Sequence, residues 1–292
     1  MPEPQSLVSR GWRRVERPLL RRWHQAGKLQ NVKLDLRLDM SAGPGAVRAA
    51  ADLTFRLEAS GPKAVLLVGS IELHSATWRD RKIRARTNAP YLVLNFPTRL
   101  AANLDQVVTL RYTYMPDEHY TIQQPTGAVD CPERIWITCR RPLLGLVQGR
   151  LVEGSEKPPL RTYQWKPPRA RRLNALLANC KSFKKETPSG MALWLHAQPA
   201  SAERAPRLLD LLLSIYQESA DSHHRELPYS DFHVLECDDP RQKPFNSPGL
   251  IVVPRGTFEI DDKPTVYGVL APEFNKEWGR DPTRMVAIGK AD

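Results

Sequence analysis

The sequence predicts a β-rich α+β fold, an antiparallel sandwich or saddle followed by a mixed α/β region. Three observations lead there. From residue 31 to residue 139, short segments alternate apolar and polar residues with no helical stretch between them. Near residue 210 the spacing becomes helical, with a wide apolar stripe. Strand-like segments then resume beyond that helix.

In chain order, Val32, Leu34, Leu36, Leu38 and Met40 occupy every second position. After the turn "SAGPG", Ala49, Ala51, Leu53, Phe55 and Leu57 do the same, so each predicted strand has one apolar face. Further strands are predicted at "AVLLVGSIEL" (64–73), "YLVLNF" (91–96), "VVTLRYTYM" (107–115), "RIWITC" (134–139) and "MALWLHA" (191–197). The segment 154–172 is rich in Pro and basic residues. It reads as an exposed loop and edge strand with Tyr163 and Trp165 as core anchors. The same composition would suit a nucleic-acid contact in which those rings stack on bases.

"SAERAPRLLDLLLSIYQESADSHHR" (201–225) predicts a helix of about five turns, with Ser201 as its cap and Leu208, Leu209, Leu212, Ile215 and Tyr216 as its buried stripe. "LPYSDFHVLEC" (227–237) reads as a turn and a strand, and "PGLIVVPRGTF" (248–258) as another strand. The simplest division is a basic terminal segment at 1–28, an antiparallel β-domain at 29–200 and a mixed domain at 201–292.

The 292 residues are 41% hydrophobic, enough for a packed core. No apolar run approaches the length of a membrane span, and the amino terminus lacks a signal-type apolar stretch. Cys131, Cys139, Cys180 and Cys237 are scattered, with no C-x-x-C pair, which points to a cytoplasmic setting. The formal net charge is +11, and Arg10, Arg13, Arg14, Arg17, Arg21 and Arg22 supply much of it. With Trp12, Leu19 and Trp23 between them, these arginines suit either an anionic surface or a terminal helix packed on the body with its arginines in water.

Local chemistry is sparse. Phosphate-binding glycine motifs and a G-x-S-x-G elbow are absent from the sequence. His223 and His224 are adjacent and diverge on a helix, so they favour its carboxyl end rather than a metal. His24, His74, His119, His196 and His233 have no partner at ligand spacing. Asp238-Asp239 and Asp261-Asp262 read as solvated loop carboxylates.

One ordered set of motifs stands out: Leu227-Pro228-Tyr229, then Phe245-Asn246-Ser247-Pro248-Gly249-Leu250-Ile251, then "VLAPEFNKEWG" (269–279). This order resembles the aminopeptidase N type of zinc aminopeptidases. There an "lPy" turn and a strand precede a G-x-M-E-N-type loop and a helix written "vlaHElaHqWwG". The strands upstream, with "VQGRLVEGSEKPPLRTYQWKPPRARR", resemble that family's amino-terminal β-domain. The resemblance implies an antiparallel β-domain followed by the first part of a thermolysin-like domain.

The family chemistry needs two histidines one helical turn apart to hold Zn²⁺, with a glutamate between as general base. At those positions this sequence has Pro272 and Lys276, and Glu273 alone matches. The family's third ligand would lie past Asp292. The resemblance places Asn246, Ser247 and Gly249 in the substrate loop, with Asn246 where the family has its charged glutamate. The expectation is a pseudo-metallopeptidase without a cofactor that binds a protein or peptide partner, with Glu273 a vestigial base. The alternative is an active zinc aminopeptidase with a divergent or partner-completed site.

Overall fold

The structure, a computed structural model, describes residues 29–43, 45–88, 91–117, 121–122, 132–168, 173–238, 243–259 and 263–279. The basic segment 1–28, with its six arginines, lies outside the described residues, as do Asp239, Asp261 and Asp262. The chain separates into two compact units, one built from 1–36, 48–115 and 123–129, the other from 37–47, 116–122 and 130–292.

The first unit is all β among the described residues. β1 (Leu29–Asp39), which belongs to it through Leu36, and β2 (Val47–Leu57) precede β3 (Gly61–Leu67) and β4 (Ile71–Trp78). β5 (Arg81–Lys82), β6 (Arg84–Asn88), β7 (Tyr91–Leu100) and β8 (Gln106–Tyr114) complete it. One sheet runs β1-β2-β8-β4-β5 and a second β3-β7-β6. The period-two pattern works as expected, since Leu34, Leu36, Ala51, Leu53 and Phe55 are all buried.

The continuous strand expected over 64–73 is instead two strands in different sheets. The chain leaves the first at Val68-Gly69-Ser70 and enters the second at Ile71. An unbroken apolar run cannot show where a strand changes sheet.

The second unit begins with β9 (Arg134–Arg140), β10 (Leu144–Val147), β11 (Arg150–Lys157), β12 (Leu160–Lys166) and β13 (Ala175–Ala178). β9, β12 and β11 are antiparallel neighbours, and β10 pairs with β13. Trp165 on β12 is the expected anchor. It is 1% exposed, and its indole N–H donates to the Gly145 carbonyl at 3.1 Å. Tyr163 is half-buried.

β14 (Lys181–Glu186) and β15 (Ala192–Ala197) lead to a single 3₁₀ turn, Ala202–Arg204, and then to α1 (Ala205–His223). β16 (Asp231–Glu236), β17 (Phe245–Ser247), β18 (Leu250–Val253) and α2 (Lys263–Gly279) follow. The sheet order is β14-β15-β16-β18-β17, with β15–β16 and β16–β18 parallel and both margins antiparallel. α1 is the crossover between β15 and β16, which is how parallel neighbours must be joined. The position 200/201, where the sequence suggests a domain boundary, falls inside this unit, and the sheet takes strands from both sides of it.

Both helices bury apolar faces in one core with this sheet. Leu208, Leu212, Ile215 and Tyr216 of α1 meet Leu270, Phe274 and Trp278 of α2, with Phe232, Val234 and Ile251 from the strands. Ser201 occupies the N-cap position of the 3₁₀ turn, whereas the N-cap of α1 is Arg204; neither residue makes a side-chain cap bond, and the Ser201 hydroxyl is buried without a hydrogen-bond partner. The intervening 3₁₀ turn moves the α-helical start beyond the reach of Ser201. At the other end His224 takes the left-handed conformation at φ 51°, and the His223 ring stacks on Trp278 at 5.9 Å.

Candidate functional site

The motif residues gather at one margin of the five-stranded sheet. β17 is its last strand, and a two-residue turn, Pro248-Gly249, returns the chain into β18 with Ser247 opposite Leu250. The positive φ of +75° at Gly249 and the proline before it suit a type II turn. α2 packs on this hairpin. The Asn246 side-chain amide donates to the Glu273 carbonyl at 2.9 Å and fastens the helix to the margin strand.

The segment 269–279 is helical, as its likeness to the family helix implied. Its apolar positions hold it against the sheet, with Phe274 stacked on Phe232 at 5.2 Å and Trp278 1% exposed. The Trp278 indole donates to the Arg225 carbonyl at 2.8 Å, and Arg225 returns a bond to the Trp278 carbonyl.

Glu273 and Glu277, one turn apart, both point inward. The Tyr229 hydroxyl donates to Glu277 Oε2 at 2.9 Å. Glu273 has a side chain only 7% exposed, and Lys276 Nζ donates to its Oε1 at 2.5 Å. Its other oxygen, Oε2, is buried without a hydrogen-bond partner.

Zinc does not fit this donor set. Pro272 is exposed and carries no donor atom. Lys276 is a cation already set against the Glu273 carboxylate, and a second, divalent cation there would be repelled. The remaining motif residues are engaged inside the fold. Ser247 Oγ accepts from Gln148 Nε2 at 2.8 Å, and Gln148 also bonds Asn174 through both ends of its amide. The structure therefore brings Asn246, Glu273 and Lys276 together and directs Ser247 toward Gln148.

A second polar cluster could not be foreseen from sequence spacing. Ser182, His196 and His233 form a chain ending at a backbone carbonyl. The contacts are 2.9 Å from Ser182 Oγ to His196 Nδ1, 3.0 Å from His196 Nε2 to His233 Nδ1 and 2.7 Å from His233 Nε2 to the Gly149 oxygen. A carbonyl only accepts, so His233 carries its proton on Nε2. His196 must then donate from Nε2 and accept from Ser182, and both rings are neutral.

Burial holds His196 well below the usual imidazole range, with the His233 ring adding to the effect. Burial likewise pushes His233 down to about 4, against the Gly149 bond that favours its protonation. Trp194 stacks at 6.2 Å on both rings, and Trp165 meets His233 edge-on. Apolar walls and satisfied nitrogens make this a structural relay. The signal in the sequence is His196 and His233 within two buried strands, but only the β15–β16 register, with His233 opposite Trp194 and His196 opposite Leu235, makes them diagonal neighbours. Among the thiols, burial raises Cys139 to about 11 and Cys180 to about 12, which leaves neither as a thiolate nucleophile.

This geometry has a counterpart among solved structures. A mutant form of an M1 zinc metallopeptidase from Deinococcus radiodurans superposes with a TM-score of 0.57 at 13% identity, over 85% of this chain. The fold is M1-like. The chain spans 65% of the length of that structure. No protein-family model and no curated protein matches the sequence.

Proposed function

We propose that this protein is a non-catalytic relative of M1 metallopeptidases that binds a protein or peptide partner. The observation that carries the reading is the ion pair between Lys276 and the buried Glu273, with Pro272 one turn before the lysine. The helix keeps its place on the sheet, while the two positions that would present imidazoles offer a proline and an ammonium group. On this reading β14–β18 and the two helices are the start of a thermolysin-like domain. Asn246, which would face a substrate amine in the family, anchors the helix with its amide.

β17 closes its sheet with only three residues, and an extended segment of a partner could extend the ladder there. The reading also places the protein in the cytoplasm, consistent with the scattered cysteines. Among the described residues no helix is long and apolar enough to cross a membrane.

Elemental analysis of protein purified from zinc-supplemented cells tests the reading, together with hydrolysis of aminoacyl-coumarin substrates. The expected result is zinc far below one equivalent and no turnover. Stoichiometric zinc, with cleavage abolished by Glu273→Gln, would instead establish an active aminopeptidase with a divergent site.

A further inference from the structure

The segment Trp78–Asn88 in the first unit, "WRDRKIRARTN", carries five basic residues and one acidic one. It turns from β4 through β5 into β6, and each of those last two strands is the outermost of its sheet. The Ile83 N–H bonds the Ala76 carbonyl at 2.9 Å and its side chain is buried, so the run is fixed at its middle. Arg79, Arg81, Lys82, Arg84 and Arg86 are all exposed.

Several cations elsewhere on the surface are neutralised within the fold. Arg56 meets Asp105 at 2.6 Å, Arg161 meets Glu156 at 2.7 Å and Lys184 meets Glu186 at 2.9 Å. Arg79 lies over the Trp78 ring at 4.5 Å, and neither it nor Arg81, Lys82 or Arg84 makes an ion pair among the described residues. Like charges held this close on a rigid margin repel one another, and the arrangement is stabilised by a matching polyanion.

We propose that this basic margin binds the phosphate backbone of double-stranded nucleic acid without reading its sequence. The inference stands independently of the peptide-binding reading. Four of the five cations are arginines, whose planar forks bond phosphate oxygens in pairs. Single strands are gripped by stacking bases on exposed rings. Here the one aromatic, Trp78, is buried, with its indole bonded to Gln106 at 3.0 Å and its ring edge-on to Phe96 at 5.6 Å. A lipid surface would require apolar side chains beside the charges, and the one large aliphatic residue, Ile83, is turned inward.

The test is fluorescence anisotropy of a labelled 30-base-pair duplex of arbitrary sequence across about 50–200 mM salt. It uses the full chain with Arg10, Arg13, Arg14, Arg17, Arg21 and Arg22 replaced by Gln, so that the amino-terminal charges do not contribute. In that background the duplex binds with a steep salt dependence. Adding Arg81→Glu, Lys82→Glu and Arg84→Glu weakens binding at least tenfold and flattens the slope of log K against log salt by about 3, at about 0.9 for each phosphate no longer neutralised. Arg81→Lys with Arg84→Lys keeps the slope. Salt-independent binding in the background protein would overturn the proposal, as would an unchanged slope in the glutamate variant. Preference for the single strand, or for phosphatidylserine vesicles over the duplex, would overturn it as well.

Discussion

Acid should destabilise this protein through the buried His196–His233 pair. The unfolded chain binds a proton at each imidazole near pH 6.5, whereas native His233 resists until about 4. A depressed native value means that the unfolded state holds more protons between those limits. The stabilisation is therefore complete above pH 6.5 and is lost as the pH falls toward 4. The 2.5-unit gap at 1.36 kcal/mol per unit makes His233 alone worth about 3 kcal/mol, and His196 is depressed in the same direction.

The assay is urea unfolding at pH 7.5 and 4.5 for the native chain and for His233→Gln. Glutamine can donate to the Gly149 carbonyl and accept from His196 without titrating. The native chain should lose about 2–3 kcal/mol more than the variant between the two pH values. Parallel losses, within about 0.5 kcal/mol, would refute the argument, because buried neutral imidazoles cannot be indifferent to pH.

Pro272→Ala should raise stability by about 1–3 kcal/mol in urea titrations, since an exposed proline inside a helix forfeits a backbone bond. Tyr229→Phe, which removes the buried donor to Glu277, should cost about 1.5–3 kcal/mol by the same measurement. Gly149→Ala should cost more than about 2 kcal/mol or prevent folding, which soluble yield and circular dichroism would show. Gly149 sits at φ +103°, and a Cβ there would lie 2.4 Å from the Lys166 carbonyl.

Legibility in the sequence follows the range of the forces involved. β1 and β2 can be read directly because one face is apolar and the alternation is local. β14, "KSFKKE", is invisible, since all its residues but Phe183 are exposed and only its pairing with β15 makes it a strand. The Ser201 cap fails over a single 3₁₀ turn, which composition does not encode. At the candidate site, the motif order identifies the helix, and the identity of residues 272 and 276 argues against a metal. That Lys276 reaches Glu273 is a local i, i+3 contact, within the scope of sequence spacing. Tyr229 bonding Glu277, and His196 meeting His233, depend on strand register and helix docking far apart in the chain.

β11 is the outermost strand of its sheet, and all eight of its residues face water, Leu151 and Val152 among them. A ladder margin of that length is an invitation to fibre-like stacking between copies. Arg150, Glu153, Glu156 and Lys157 act as sentries along it, because each would have to be stripped of water before another copy could align. These four side chains therefore guard the margin locally, and neutralising them should make the protein more prone to aggregate.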